Sequence, residues 1–189
     1  MRAPVLGAWF AHHLDEVVQQ AERSAEITHA HPEGIAGAIA VALASALACR
    51  GELCPDGVAF IEAVLARTPD GEVAAGLRHA LTLSADLPIE RVVEALGNGS
   101  RIAAQDTVPL ALWCAAQHLT DYESALWLTV SALGDRDTTC AIVGGIVACR
   151  VGVEGLPPQW LARREALPQM SPAPRGRAAA RALTRPRCG

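Results

Sequence analysis

Asp135 and Asp137 stand two residues apart, flank Arg136, and are followed at once by Thr138 and Thr139. Two carboxylates and a hydroxyl are hard oxygen donors of the kind Mg²⁺ prefers, and they supply only part of the roughly six-oxygen shell such an ion takes. In an extended or turn segment the i, i+2 spacing brings both carboxylates to one side and turns Arg136 away. The same residues also read as a helix cap: one Asp accepts free amide hydrogens at the start of the small-residue run CAIVGGIVAC and complements its dipole. A cap needs one Asp. The second carboxylate, the threonine pair, and Gly144 with Gly145, which let another helix approach closely, are what a ligand site adds. On the residues alone, both readings stay open.

Other constellations are weaker. His12, His13, His29 and His31 raise the question of a zinc site, because imidazole is a usual zinc ligand. HAHP, however, stands at a helix entrance, where a hydrogen-bonding histidine is ordinary, so His29 reads as a substrate or structural residue and His12 and His13 as solvated. Asp15, Glu16, Glu22 and Glu26 form a solvated acidic helix face. The four tryptophans are scattered and build no stacking platform for nucleic acid, and no G-x-S-x-G context supports a serine hydrolase. A net charge of −4 and a pI near 5.8 give no global attraction to nucleic acid or to an anionic membrane. The six cysteines, at 49, 54, 114, 140, 149 and 188, include no C-x-x-C pair and read mainly as small core hydrophobes.

The elements that must position these residues are helical. Hydrophobic residues make up 51% of the chain and aromatics 4%, so the core is built from Ala, Leu, Val and Ile, and no segment has strand periodicity. An all-α fold is expected. Leu14, Val17, Val18, Ala21 and Ala25 mark an amphipathic helix over 14–28. Pro32 and Glu33 suit the first turn of a buried helix, Ile35 to Cys49, whose apolar run is short of the roughly 20 residues that span a bilayer. Further helices are expected after Asp56, from Asp70 or Gly71 to about Ser84, over DLPIERVVEAL, from Thr107 to His118 with Asp106 as cap, after Thr120 or Asp121, and from the Asp135 motif to Gly152. The opening residues lack a signal-peptide pattern, so the expected compartment is the cytoplasm. Residues 168–189 carry five arginines, several prolines and no acid, and read as a disordered tail after a domain over 1–167.

GDRDTTCAIVGGIVACRVGVEGLPPQW resembles the C-terminal signature of the ADP-ribosylglycohydrolases: a G-D-x-D-T turn, a small-residue helix, then P-x-x-W. MRAPVLGAWF, SAEITHAHPEG with the Ala-rich helix behind it, and LGNGSRIAAQDTVPLALW resemble the family in the same order, so the likeness runs nearly to Trp160. It implies a multi-helix orthogonal bundle around a binuclear Mg²⁺ centre, with Mn²⁺ as the alternative ion, that cuts ADP-ribose from a modified side chain or related conjugate. It implies Asp135, Asp137 and Thr138 as metal ligands. It also implies His29, Gly97, Asn98, Gly99 and Ser100 against the substrate, the glycines letting backbone amides come close to phosphate or ribose.

The sequence departs from the family pattern. Leu133 replaces a usual glycine and adds bulk beside the loop, and Arg136 replaces a small residue and adds charge beside a cation site. The family's N-terminal half, with its Thr-Asp-Asp metal triplet and acid/base carboxylate, has no counterpart here. The expectation is therefore a C-terminal portion, weak or inactive alone, with no catalytic residue of its own. Its expected partners are ADP-ribose or an ADP-ribosylated protein, and either the missing half or a second copy covering the exposed apolar helix faces. The alternatives are a non-catalytic ADP-ribose or nucleotide module and a structural helical oligomer.

Overall fold

In the computed structural model the described residues are 1–51, 54 and 56–166, so the tail expected over 168–189 lies outside them. The described residues are helical throughout and contain no strand. Ten helices follow in order: α1 Ala3–Trp9, α2 Leu14–Glu26, α3 Pro32–Cys49, α4 Gly57–Leu65, α5 Glu72–Ala80, α6 Ile89–Leu96, α7 Ala104–Gln117, α8 Tyr122–Ser131, α9 Arg136–Val151 and α10 Pro158–Arg163. A 3-10 turn, Val153–Gly155, separates the last two.

Local chemistry explains most boundaries. Asp56 caps α4 by accepting the Ala59 N–H at 2.8 Å, and Asp121 caps α8 through the Ser124 N–H at 3.0 Å. Those two bonds to Ser124, backbone and hydroxyl, hold the Asp121 carboxyl below its usual range. The entrance to α3 is capped by His31, whose Nδ1 accepts the Glu33 N–H, with Pro32 at the first helical position. Glu33 then reaches across to accept the Glu72 and Val73 N–H groups at 2.9 and 2.7 Å, so a side chain of α3 caps α5. With that cap in place α5 starts at Glu72, and it stops at Ala80 rather than Ser84 because the chain turns at Leu81.

The core is a set of three helices, α3, α7 and α9, each in contact with the other two. Every residue from Ile39 to Ala48 is buried, which is why α3 is apolar on all sides rather than on one stripe. Small residues set the spacing. Gly7 of α1 lies on the Ala42 carbonyl of α3, where an added Cβ would come within 2.0 Å of the oxygen; Pro4 sits on Gly145 of α9, and Tyr122 of α8 on Gly144. The close approach expected at the Gly144 and Gly145 pair is thus made by two helices, one on each glycine. Trp113, Phe60, Leu43, Leu77, Leu110, Leu112 and Ile146 fill the space between. Each buried side chain of this size stabilises the fold by roughly 1.5–3 kcal/mol.

The three core helices run the same way. Gly37, early in α3, packs on Ala104 at the start of α7; Gly99, just before α7, packs on Asp135 at the start of α9; Gly51, after α3, meets the guanidinium of Arg150 at the end of α9. The N-terminal ends of α3, α7 and α9 therefore gather at one end of the molecule, together with that of α5. Four positive dipole ends face that end, those of α3, α5 and α9 carrying side-chain caps from His31, Glu33 and Asp135.

Large apolar side chains remain outside. Val5 and Trp9, one turn apart on α1, are 76% and 82% exposed, and Met1 is exposed beside them. Arg2 ties this helix to the end of α2 through the Ser24 carbonyl and the Thr28 hydroxyl, and Ile27 beside that tie is exposed as well.

Of the cysteines described, Cys54 and Cys114 are buried, Cys140 and Cys149 partly so, and Cys49 is exposed. Burial pushes the Cys114 thiol up to about 12. A free thiol in the unfolded chain ionises near 9, so between about 9 and 12 the folded state holds a proton that the unfolded state has lost, and stability falls as pH rises. The urea midpoint is expected to decline across that window in the wild-type chain and to decline less steeply in Cys114→Ala. Parallel declines in both chains would show that Cys114 is not responsible.

Candidate functional site

Two loops meet at the end where the core helices begin. Gly97 to Ala103 joins α6 to α7, and Ala132 to Asp135 joins α8 to α9; the two are some 35 residues apart in sequence. The Asp135 N–H donates to the Asn98 carbonyl at 3.0 Å, and the Asn98 side-chain amide donates to the Ala132 carbonyl at 3.0 Å. Gly134, at φ 64°, lies so close that an added Cβ would be 2.3 Å from the Asn98 carbonyl oxygen, and Gly99, at φ 84°, packs on the Asp135 Cβ. Both glycines hold left-handed backbone that L side chains disfavour, and both give up their side-chain space to the other loop. The Ser100 hydroxyl donates to Asn98 Oδ1 at 2.7 Å and closes the turn.

Asp106 braces this junction from below. Sequence reasoning takes it for the cap of α7, but α7 begins two residues earlier, at Ala104, and Asp106 lies buried in its first turn. Its carbonyl accepts the Gly99 N–H at 2.9 Å and its carboxylate the Arg101 N–H at 2.9 Å, while Gly97 leaves room for the other carboxylate oxygen. A buried carboxylate needs such partners, and here the partners are the loop itself. The only trace of this role in the sequence is an acid seven residues beyond a glycine, which a cap explains equally well.

The Gly97 and Gly99 N–H groups are given to the Val93 and Asp106 carbonyls. Gly99 also packs on Asp135 of the other loop, and Gly97 on Asp106 of α7.

On α9 the motif is a cap and more than a cap. Asp135 is the N-cap, its Oδ1 accepting the Thr138 N–H at 3.1 Å, and the helix starts at Arg136. Helical backbone replaces the extended segment expected there, so Asp137 lies on the first turn of the helix, exposed, while Asp135 is half-buried against Gly99. Thr139 turns inward and spends its hydroxyl on the Asp135 carbonyl at 2.9 Å. Among the described residues, the Asp137 carboxylate and the Thr138 hydroxyl have no hydrogen-bond or ion-pair partner, and neither does the second oxygen of Asp135. Arg136 is exposed, and Leu133 is 61% exposed at φ 58°, so the bulk expected beside the loop faces solvent.

His29 belongs to a different loop. Its ring Nδ1 pairs with the Thr28 hydroxyl at 2.8 Å and its side chain packs on Gly34 at the entrance of α3. The structure brings Gly97, Asn98, Gly99, Ser100, Asp135, Asp137 and Thr138 into one cluster, and it sets His29 on a neighbouring loop at the same end without a hydrogen bond to that cluster. No group of three or more His, Cys, Asp or Glu side chains poised for a metal occurs among the described residues.

The sequence model of the ADP-ribosylglycohydrolase family matches residues 1–186. The chain belongs to the ADP-ribosylglycohydrolase family. A protein of Archaeoglobus fulgidus with no described function is 36% identical over 165 residues, covering 85% of this chain and 50% of its own length. The chicken (Gallus gallus) ADP-ribosylhydrolase ARH3 is 30% identical over 178 residues, covering 78% of this chain and 47% of its own. Its human counterpart is 29% identical over 177 residues, at 78% and 48%. The chain thus spans about half the length of the curated relatives it matches. Metal dependence is general in the ADP-ribosylglycohydrolase family, and the all-helical fold found here agrees with the architecture expected of a member.

The donor set at the start of α9 fits a hard divalent cation in part. One free oxygen of Asp135, the Asp137 carboxylate and the Thr138 hydroxyl are all oxygens, sit within one helical turn, and are not consumed by the protein's own hydrogen bonds. Three donors leave about half of a six-oxygen shell to water, substrate or further protein groups.

Proposed function

We propose that the chain carries the metal-holding and nucleotide-facing side of an ADP-ribosylglycohydrolase site, for a reaction that removes ADP-ribose from a modified side chain or related conjugate. The observation that carries this reading is the bonding of the Asn98 loop to the α9 cap, which leaves Asp137 and Thr138 as unspent oxygen donors beside it. A simple cap would not require a second loop built onto it.

Asp135, Asp137 and Thr138 are the proposed holders of Mg²⁺, or of Mn²⁺. When bound, such an ion supplies Lewis-acid polarisation of a ribose oxygen next to the anomeric carbon. The chain's own residues would do the rest of the binding. Ser100, exposed and rigidly placed by Asn98, presents a hydroxyl toward the sugar. Arg136, exposed on the first turn of α9, offers a guanidinium to the diphosphate. His29 stands at the edge of the same end, positioned by Thr28. The gathered positive ends of α3, α5, α7 and α9 favour an anionic ligand over that face. Self-association, or cover by a second polypeptide, is proposed for the exposed face of Val5 and Trp9.

The test is a thermal melt of the 189-residue chain with Mg²⁺, with ADP-ribose and with both, repeated on Asp137→Ala. A ligand at 100 times its dissociation constant stabilises by about 2.7 kcal/mol, which is roughly 5–10 °C for a domain of this size. A Mg²⁺-dependent rise that Asp137→Ala abolishes supports the metal site. A rise with ADP-ribose alone, unchanged in Asp137→Ala, favours the non-catalytic nucleotide module. The absence of any shift returns the Asp pair to a structural cap.

A further inference from the structure

At the opposite end of the core the last turns of α3 and α9 meet, and each carries a cysteine. Cys49 ends α3 and is exposed; Cys149 lies on the last full turn of α9, partly buried, with its thiol 3.1 Å from the Gly145 carbonyl. The two helix ends abut, because the Arg150 guanidinium fills the space that a side chain at Gly51 would take. The thiols are neighbours: Cys49 is within interaction range of Cys149. Neither cysteine has any part in the candidate site, which lies at the other end of α9.

We propose that Cys49 and Cys149 form a reversible thiol–disulfide site that ties the end of α3 to the end of α9, with a small disulfide of the glutathione class as oxidant. Exposure assigns the order of events. The Cys49 thiolate attacks one sulfur of the oxidant, forming a mixed disulfide and releasing one thiolate, which takes up a proton. Cys149 then loses its proton and attacks the Cys49 sulfur, forming the Cys49–Cys149 bond and expelling the second small thiol. Two protein thiols are oxidised to one disulfide and one small disulfide is reduced to two thiols, so hydrogens and electrons balance.

The second step is the slow one. With Cys49 held in the mixed disulfide, burial still keeps the Cys149 thiol above its usual range, so little thiolate is present at neutral pH and closure speeds up as pH rises. The bridged residues are 100 apart in sequence, which makes the constraint on the unfolded chain large. The bond also fixes α9, whose first residues carry the candidate metal donors, against α3, whose entrance carries His29 and His31.

The experiment is oxidation of the 189-residue chain with oxidised glutathione, at dilute protein, followed by alkylation, proteolysis and mass spectrometry, with melting curves taken before and after. The expected result is a Cys49–Cys149 linked peptide within one chain and a rise in melting temperature on the order of 10 °C, both reversed by dithiothreitol and both absent in Cys49→Ser. Because Cys49 is exposed, the serine variant is expected to fold. Recovery of Cys49 only as a stable glutathione adduct would overturn the proposal, and so would a Cys49–Cys49 bond between two chains or a melting shift that persists in Cys49→Ser. The result does not depend on whether the α9 entrance binds metal.

Discussion

Gly134→Ala is expected to melt roughly 5–20 °C below the wild-type chain and to lose any stabilisation by Mg²⁺ or ADP-ribose. The reasons are two and they add. Gly134 sits at φ 64°, a conformation that costs an L residue about 1–2 kcal/mol. A Cβ there would also stand 2.3 Å from the Asn98 carbonyl oxygen, which is backbone and cannot rotate aside, and overpacking of that kind costs about 1–3 kcal/mol more. At about 2–4 °C per kcal/mol for a chain of this size, the sum gives the stated range. Differential scanning fluorimetry of the variant reads the sum. A drop no larger than the backbone cost of about 1–2 kcal/mol would mean that the two loops are not held in tight contact, and the bonded unit at the centre of the functional reading would fall with them.

The second large effect concerns Trp113, the largest fully buried side chain of α7. Truncation to alanine is expected to cost about 3–5 kcal/mol, through lost apolar burial and the cavity left between α7 and its neighbours. Trp113→Phe is expected to cost far less. The indole Nε1–H is buried with no partner among the described residues, a group whose desolvation costs about 1–3 kcal/mol, and phenylalanine removes it together with the extra volume. Urea unfolding of the two variants reads the difference. A Phe variant as unstable as the Ala variant would mean that the Nε1–H has an acceptor after all, an ordered water being the simplest.

How far a sequence carries in such a protein depends on the range of the forces concerned. Helix content, the caps at Asp56 and Asp121, the amphipathic stripe of Val17, Ala21 and Ala25, and the Pro32 start of α3 were all legible, because each rests on residues within one or two turns of one another. So was the family, because GDRDTT and LGNGS are contiguous strings. α7 starts three residues before the expected Thr107, and for a physical reason: an aspartate near a helix start looks like a cap whether its carboxylate bonds the next turn or, as Asp106 does, a loop packed against it. The glycines of GNG suggested amide donors for the same reason, since nothing local shows that their N–H groups go to Val93 and Asp106.

By itself, then, the sequence determined the helices, the oxygen donors at the start of α9 and the family to which they belong. Tertiary structure alone decided that α3, α7 and α9 begin at one end, that Asn98 bonds across to Ala132 and Asp135, and that Cys49 meets Cys149 at the other end. Such contacts join residues some 35 to 100 positions apart. They are set by which small residues let which helices touch, Gly7 on Ala42 and Pro4 on Gly145 among them, and that choice belongs to the packed core as a whole rather than to any window of the chain.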